Sequence, residues 1–192
     1  MKRPEQGLTL IEILVAMSLL AILSVLGYKA FGSLLIARER LMQTGEHWVQ
    51  LARVFRRVEG DVARLPTEPP PGAQQGSAPQ RDRLLLEPDG GGRQRLSLKL
   101  FSARYPGGRE RITYRGGDGL SWQAADADGG DAGTTYPLLA PGQRVSWEVL
   151  LDDGRTLTQW PVPDVETRRA RALLMRVTLA GGQTVHRIWN LP

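Results

Sequence analysis

Glu12 is the only charged residue in the run Leu8 to Tyr28 (LTLIEILVAMSLLAILSVLGY), 21 residues that are otherwise apolar, small or hydroxylic. A carboxylate in a lipid-facing segment costs about 2.5 to 3.5 kcal/mol on insertion scales, so it implies a partner or a function. The neighbouring residues supply one. A cut between Gly7 and Leu8 would create an α-amine four residues before Glu12. That cation on one subunit could neutralise the carboxylate of the next, so the chemistry expected here is ion pairing between stacked copies.

The other reactive side chains form no comparable set. There are no cysteines, which excludes disulfides, thiolate metal sites and a Cys nucleophile. His47 and His186 lie far apart in sequence, and no Gly-x-Ser-x-Gly turn is there to present a serine nucleophile. Asp126-Ala-Asp128-Gly-Gly-Asp131 clusters oxygen ligands as a calcium loop does, but no acid follows at the spacing that completes an EF-hand. Asp126, Asp128 and Asp131 are therefore weak metal candidates, and the segment reads as an Asp/Gly turn. Gly116-Gly117-Asp118-Gly119 lacks the lysine of a phosphate loop and also reads as a turn. No cofactor is expected. A net charge of +5 arises from 25 Lys+Arg against 20 Asp+Glu, a mixed surface. The basic groups Arg53, Arg56-Arg57 and Arg168-Arg169-Ala-Arg171 are short and interleaved with Glu59, Asp61, Asp164 and Glu166. No nucleic-acid partner is expected, since no run of exposed aromatics is present to stack bases.

The elements that must position Glu12 follow from the apolar pattern. Residues 8–28 are long enough to cross a hydrocarbon core of roughly 30 Å as a helix. A cleaved secretory signal has an apolar stretch of about 7 to 15 residues and a small-residue cleavage site, which this segment lacks. Lys2 and Arg3 precede it, which predicts a cytoplasmic N-terminus and a single pass. Beyond it, Leu41, Trp48, Leu51, Phe55, Val58, Val62 and Leu65 form one helical stripe, so 29–65 is predicted to be an amphipathic helix ending before Pro66. Residues 66–82, rich in Pro, Gly and Gln, are predicted to be a loop.

From 83 to 192 the period becomes two. Leu96, Leu98 and Leu100 alternate with polar residues, as do Ile112 with Tyr114, Val145 with Trp147 and Val149, and Leu173 with Met175, Val177 and Leu179. Asp153-Gly154 predicts a turn into a strand over 156–160, and Gly181-Gly182 a turn into Val185, Arg187 and Trp189. One long helix and seven to nine short strands predict an α+β fold in which antiparallel sheet packs on the helix. Trp122, Trp147, Trp160 and Trp189 fall in strands and are expected mainly in the core, with one tryptophan left for an interface.

Gly7-Leu8-Thr9-Leu10-Ile11-Glu12, followed by Ile13-Leu14-Val15-Ala16, resembles the type IV prepilin signature. The resemblance implies that a prepilin peptidase cuts after Gly7 and N-methylates Leu8, and it assigns Glu12, with Thr9, to subunit assembly. Leu8 departs from the usual Phe. The order Glu59-x-Asp61, Arg104, Arg111-Ile-Thr-Tyr114, Gly119-Leu120, Trp160-Pro161 and His186-Arg187-Ile188 resembles minor pseudopilin J of type II secretion. That family implies a pilin-like fold, a bacterial inner-membrane subunit with a periplasmic domain, and no catalysis. It also implies assembly with the I and K minor pseudopilins, with H as a further candidate, and with the major pseudopilin, in a tip complex supporting export of folded proteins. A minor pilin of a type IV pilus and a DNA-uptake pseudopilin share the same N-terminal chemistry.

Overall fold

The computed structural model describes residues 9–67, 83–105, 108–127, 133–163 and 169–192. It divides into two compact units, Met1–Val49 and Gln50–Pro192. Helix α1, Leu10–Ala63, contributes to both. Its last turn tightens, with Arg64 N–H donating to Asp61 C=O at 3.2 Å and Leu65 N–H to Val62 C=O at 3.1 Å. Leu65 is thus buried just past the helix and not on it, because Pro66 disfavours helical geometry in the residue before it.

The stripe on α1 is shorter than its spacing predicts. Leu51, Val54, Val58 and Val62 are buried, whereas Leu41 and Trp48 are exposed and Phe55 is half-buried. Burial begins where the chain enters the unit Gln50–Pro192, and Val54 joins the face because residues three and four apart share it.

That unit is built on one antiparallel sheet: β1 Leu84–Pro88, β2 Gln94–Phe101, β3 Arg109–Asp126, β4 Thr135–Leu151, β5 Thr156–Leu157, β6 Ala170–Thr178 and β7 Thr184–Asn190. The order is β1-β2-β3-β4-β6-β7, with β5 paired to β4. Leu96, Leu98, Leu100, Ile112, Tyr114, Val145, Trp147, Val149, Leu173, Met175 and Val177 all point into the core, as their alternation predicts. Each large aliphatic or aromatic side chain so buried contributes about 1.5 to 3 kcal/mol. Trp122, Trp147, Trp160 and Trp189 are buried, which leaves Trp48 as the exposed tryptophan.

Two strands are not short. β3 and β4 have 18 and 17 residues. β3 bends back on itself: Arg111 Nη2 donates to Ala127 C=O at 2.6 Å and Arg115 Nη1 to Gln123 Oε1 at 3.1 Å. Residues 16 apart on a straight strand would be roughly 53 Å apart. The bend falls at Gly116-Gly117-Asp118-Gly119, where the sequence predicts a turn; Gly119 has φ of 90° and the ladder to β4 shifts register between Asp118 and Leu120. Before this point β3 pairs with β2 and not with the later part of β4, where the Gln94 side chain takes its place. Its Oε1 accepts from Trp147 N–H at 2.7 Å, and its Nε2 donates to Trp147 C=O at 3.1 Å and Thr158 C=O at 2.9 Å.

β1, which opens on three consecutive leucines, has its outer edge closed at Leu86, which exchanges two backbone hydrogen bonds of 2.8 Å with Trp160. The strand expected over 156–160 is accordingly split into β5 and this single bridge.

Candidate functional site

Thr9 immediately precedes α1, and its backbone N–H and hydroxyl both donate to Glu12 Oε2 at 2.9 Å. The Glu12 N–H in turn lies 3.4 Å from Thr9 Oγ1. This is a capping box, in which a Thr and a Glu three residues on satisfy helix-terminal donors reciprocally. Both bonds converge on one carboxylate oxygen, and Oε1 accepts none from another described residue. The carboxylate is held in place with one oxygen left to receive a cation. Gly7 and Leu8 lie outside the described residues.

Around Glu12 the surface is apolar. Leu10, Ile11, Leu14, Met17, Leu20, Leu23 and their neighbours through Ile36 are exposed, and the segment Leu10–Glu39 holds an 18-residue stretch with a mean hydropathy of 2.5, apolar and long enough to cross a membrane. Exposed aliphatic surface on every face suits a lipid or helix-bundle environment and not water.

In the unit Gln50–Pro192 the most buried polar groups form a lock between the end of α1 and the sheet. Asp61, 5% exposed, accepts from Tyr114 Oη at 2.6 Å and Trp122 Nε1 at 3.3 Å through Oδ2, and pairs with Arg64 at 2.5 Å through Oδ1. Arg64 and Arg104 each reach Glu110, 2% exposed, at 3.4 Å. The Arg57 guanidinium lies 3.7 Å over the Trp122 ring. Burial first, and then the charge of Asp61, push the Tyr114 phenol well above the usual tyrosine range, so it stays a neutral donor. Each carboxylate is matched by donors, which is what burying a charge demands. Asp61, Arg104 and Tyr114, which the sequence offers only as separate points of resemblance, are thus parts of one constellation; Arg64, Glu110 and Trp122 complete it without a sequence signal of their own.

The remaining candidates are not brought together. His47 and His186 are both exposed, on α1 and β7. Asp126 ends β3, while Asp128 and Asp131 lie outside the described residues; no cluster of three metal-ligating side chains occurs among the described ones. Arg53, Arg56, Arg57, Arg169 and Arg171 are exposed, and Arg168 lies outside the described residues.

Residues 2–28 match the model of the prokaryotic N-terminal methylation motif, which spans Glu12 and the apolar segment. Residues 29–191 match the model of type II secretion system protein J, which covers most of the chain. The chain belongs to the type II secretion system protein J family. It is a minor pseudopilin of type II secretion, and this match separates it from the type IV pilins and DNA-uptake pseudopilins that share its N-terminal chemistry. No curated protein matches the chain. Protein J is a structural component of a secretion machine, and its N-terminal motif implies peptidase processing, pseudopilus partners and membrane anchoring.

Proposed function

We propose that this pseudopilin works by assembly and carries out no turnover. A prepilin peptidase cuts after Gly7 and methylates Leu8, leaving 8–28 as a single inner-membrane pass with a cytoplasmic N-terminus. The helix continues past the membrane through Ala63, the loop expected over 66–82 lies mostly outside the described residues, and 83–192 carry the specificity for neighbours. The Leu8 α-amine of one subunit pairs with Glu12 of another and sets the register, since a slip of one turn would leave both charges unpaired in lipid. The I and K minor pseudopilins and the major pseudopilin are the partners, with H as a further candidate, in a tip complex that starts the pseudopilus and supports export of folded proteins. Having Glu12 argues against the extreme tip, where no amine would lie above it.

The observation that carries this reading is the single carboxylate on an exposed apolar helix, held by Thr9 with Oε1 left over. The capping box also supplies a purely local reason for Glu12, so the test must separate cap from pairing. Glu12→Gln keeps an oxygen for the Thr9 bonds and removes the charge; Thr9→Val removes the hydroxyl and leaves the charge. Co-isolation of the other pseudopilins from native membranes is expected to fail for Glu12→Gln and persist for Thr9→Val, with both still processed. Normal co-isolation by Glu12→Gln would reduce Glu12 to a helix cap.

A further inference from the structure

The face of the sheet turned away from the core carries a trough of about 470 Å³ across β1, β2 and both arms of β3. Its floor follows from the register. Arg95 stands directly opposite Arg115, Ser97 opposite Thr113, and Lys99 opposite Arg111. Like charges directly opposite in an antiparallel pair are destabilising, and here two such pairs flank a pair of hydroxyls.

The two ends are compensated differently. At one end Asp89 pairs with Arg95 at 2.8 Å and lies 3.8 Å from Arg115, and Glu87 stands opposite Arg95. At the other end Lys99 makes no ion pair with a described residue, and Arg111 donates to a carbonyl, that of Ala127. Asp126 also lines the trough, so its walls hold four cations and two carboxylates. Ser97, only 8% exposed, makes no hydrogen bond to another described residue through its hydroxyl, and Arg95 Nε is buried without a partner. A sheet face left to water gains nothing from two cross-strand cation pairs stacked about one pair of hydroxyls.

We propose that this trough receives an extended acidic segment of another polypeptide. A carboxylate of the segment sits between Lys99 and Arg111, and the hydroxyls of Ser97 and Thr113 meet its peptide groups. A trough running from Arg95 to Lys99 spans roughly 13 Å of strand, room for several extended residues and more than one small anion requires. The binding is electrostatic, so it weakens with salt. The assignment concerns the outer sheet face and stands apart from the pairing proposed for Glu12.

The test is fluorescence anisotropy of the full detergent-solubilised chain with a fluorescein-labelled peptide of alternating Glu and Thr, which presents its carboxylates on one side when extended. Saturable, salt-sensitive binding is expected, weakened about tenfold, or about 1.4 kcal/mol, by K99Q/R111Q. Because Arg111 also donates to Ala127 C=O, K99Q alone is measured beside it; K99Q keeps that bond, is expected to hold the parent's thermal midpoint, and should still weaken binding. K99R/R111K should retain binding. No binding, or equal binding by K99Q/R111Q, would overturn the assignment. So would vesicles rich in anionic lipid that bind through the same two residues while the peptide does not. Peptidase processing of Gly7 is read separately by mass, so failure here leaves the assembly reading distinguishable.

Discussion

At Asp61 a buried carboxylate meets three donors from three different parts of the chain, and the consequences can be measured one residue at a time. Removing the Tyr114 hydroxyl takes away a donor to a buried charge, an interaction worth about 1.5 to 3 kcal/mol. Tyr114→Phe is therefore expected to lower the denaturation free energy of the detergent-solubilised chain by that amount at neutral pH. The pH dependence has a definite sign. The folded phenol is held above the usual range, whereas in the unfolded chain it ionises near pH 10. Above that pH the unfolded state binds fewer protons, so the contribution is full below about pH 10 and falls by up to about 1.4 kcal/mol per unit above it. Tyr114→Phe should show a shallower loss between about pH 10 and 11 than the parent; an identical slope would place the titration elsewhere. Thr9 teaches a different lesson about legibility. The sequence Thr-x-x-Glu ahead of an apolar run is itself a capping signal. Reading Glu12 only as an intersubunit partner passes over it, since lipid insertion cost and helix capping both account for the same carboxylate.

Among the elements, the alternating strands are legible because one face is buried and a one-residue slip would expose it. Leu96, Leu98 and Leu100 show this directly. β1 is not, because Leu84-Leu85-Leu86 has no period to read. The helix stripe is half legible: a 3/4 spacing marks a face but not where the covering sheet begins, so Leu41 and Trp48 match the pattern and remain exposed. The return of β3 is announced by its glycines, though not that the strand resumes beside itself. Gly119 has φ of 90°, and a Cβ there would sit 2.9 Å from the Leu139 carbonyl oxygen. Gly142 has φ of 92° and open space around it. Gly119→Ala is expected to cost about 1 to 3 kcal/mol and Gly142→Ala less, since the second carries backbone strain alone. Equal losses in chemical denaturation would mean that the close approach at the bend is not what requires glycine.

For the whole molecule, the division of labour was written in the composition: an exposed apolar segment with one carboxylate, then a Gly-punctuated sheet with its own core. What composition does not carry is the buried lock of Asp61, Arg64, Glu110, Tyr114 and Trp122, which forms only when distant positions meet. Membership of the protein J family makes these parts those of a pseudopilus subunit. The central claim is that cleavage after Gly7 converts a membrane protein into an assembly subunit. Intact mass of the chain from native membranes, with and without the prepilin peptidase, tests it most directly. The account predicts loss of residues 1–7 and gain of one methyl group on Leu8, both dependent on the peptidase. A chain that keeps Met1 in the presence of the active peptidase would contradict it.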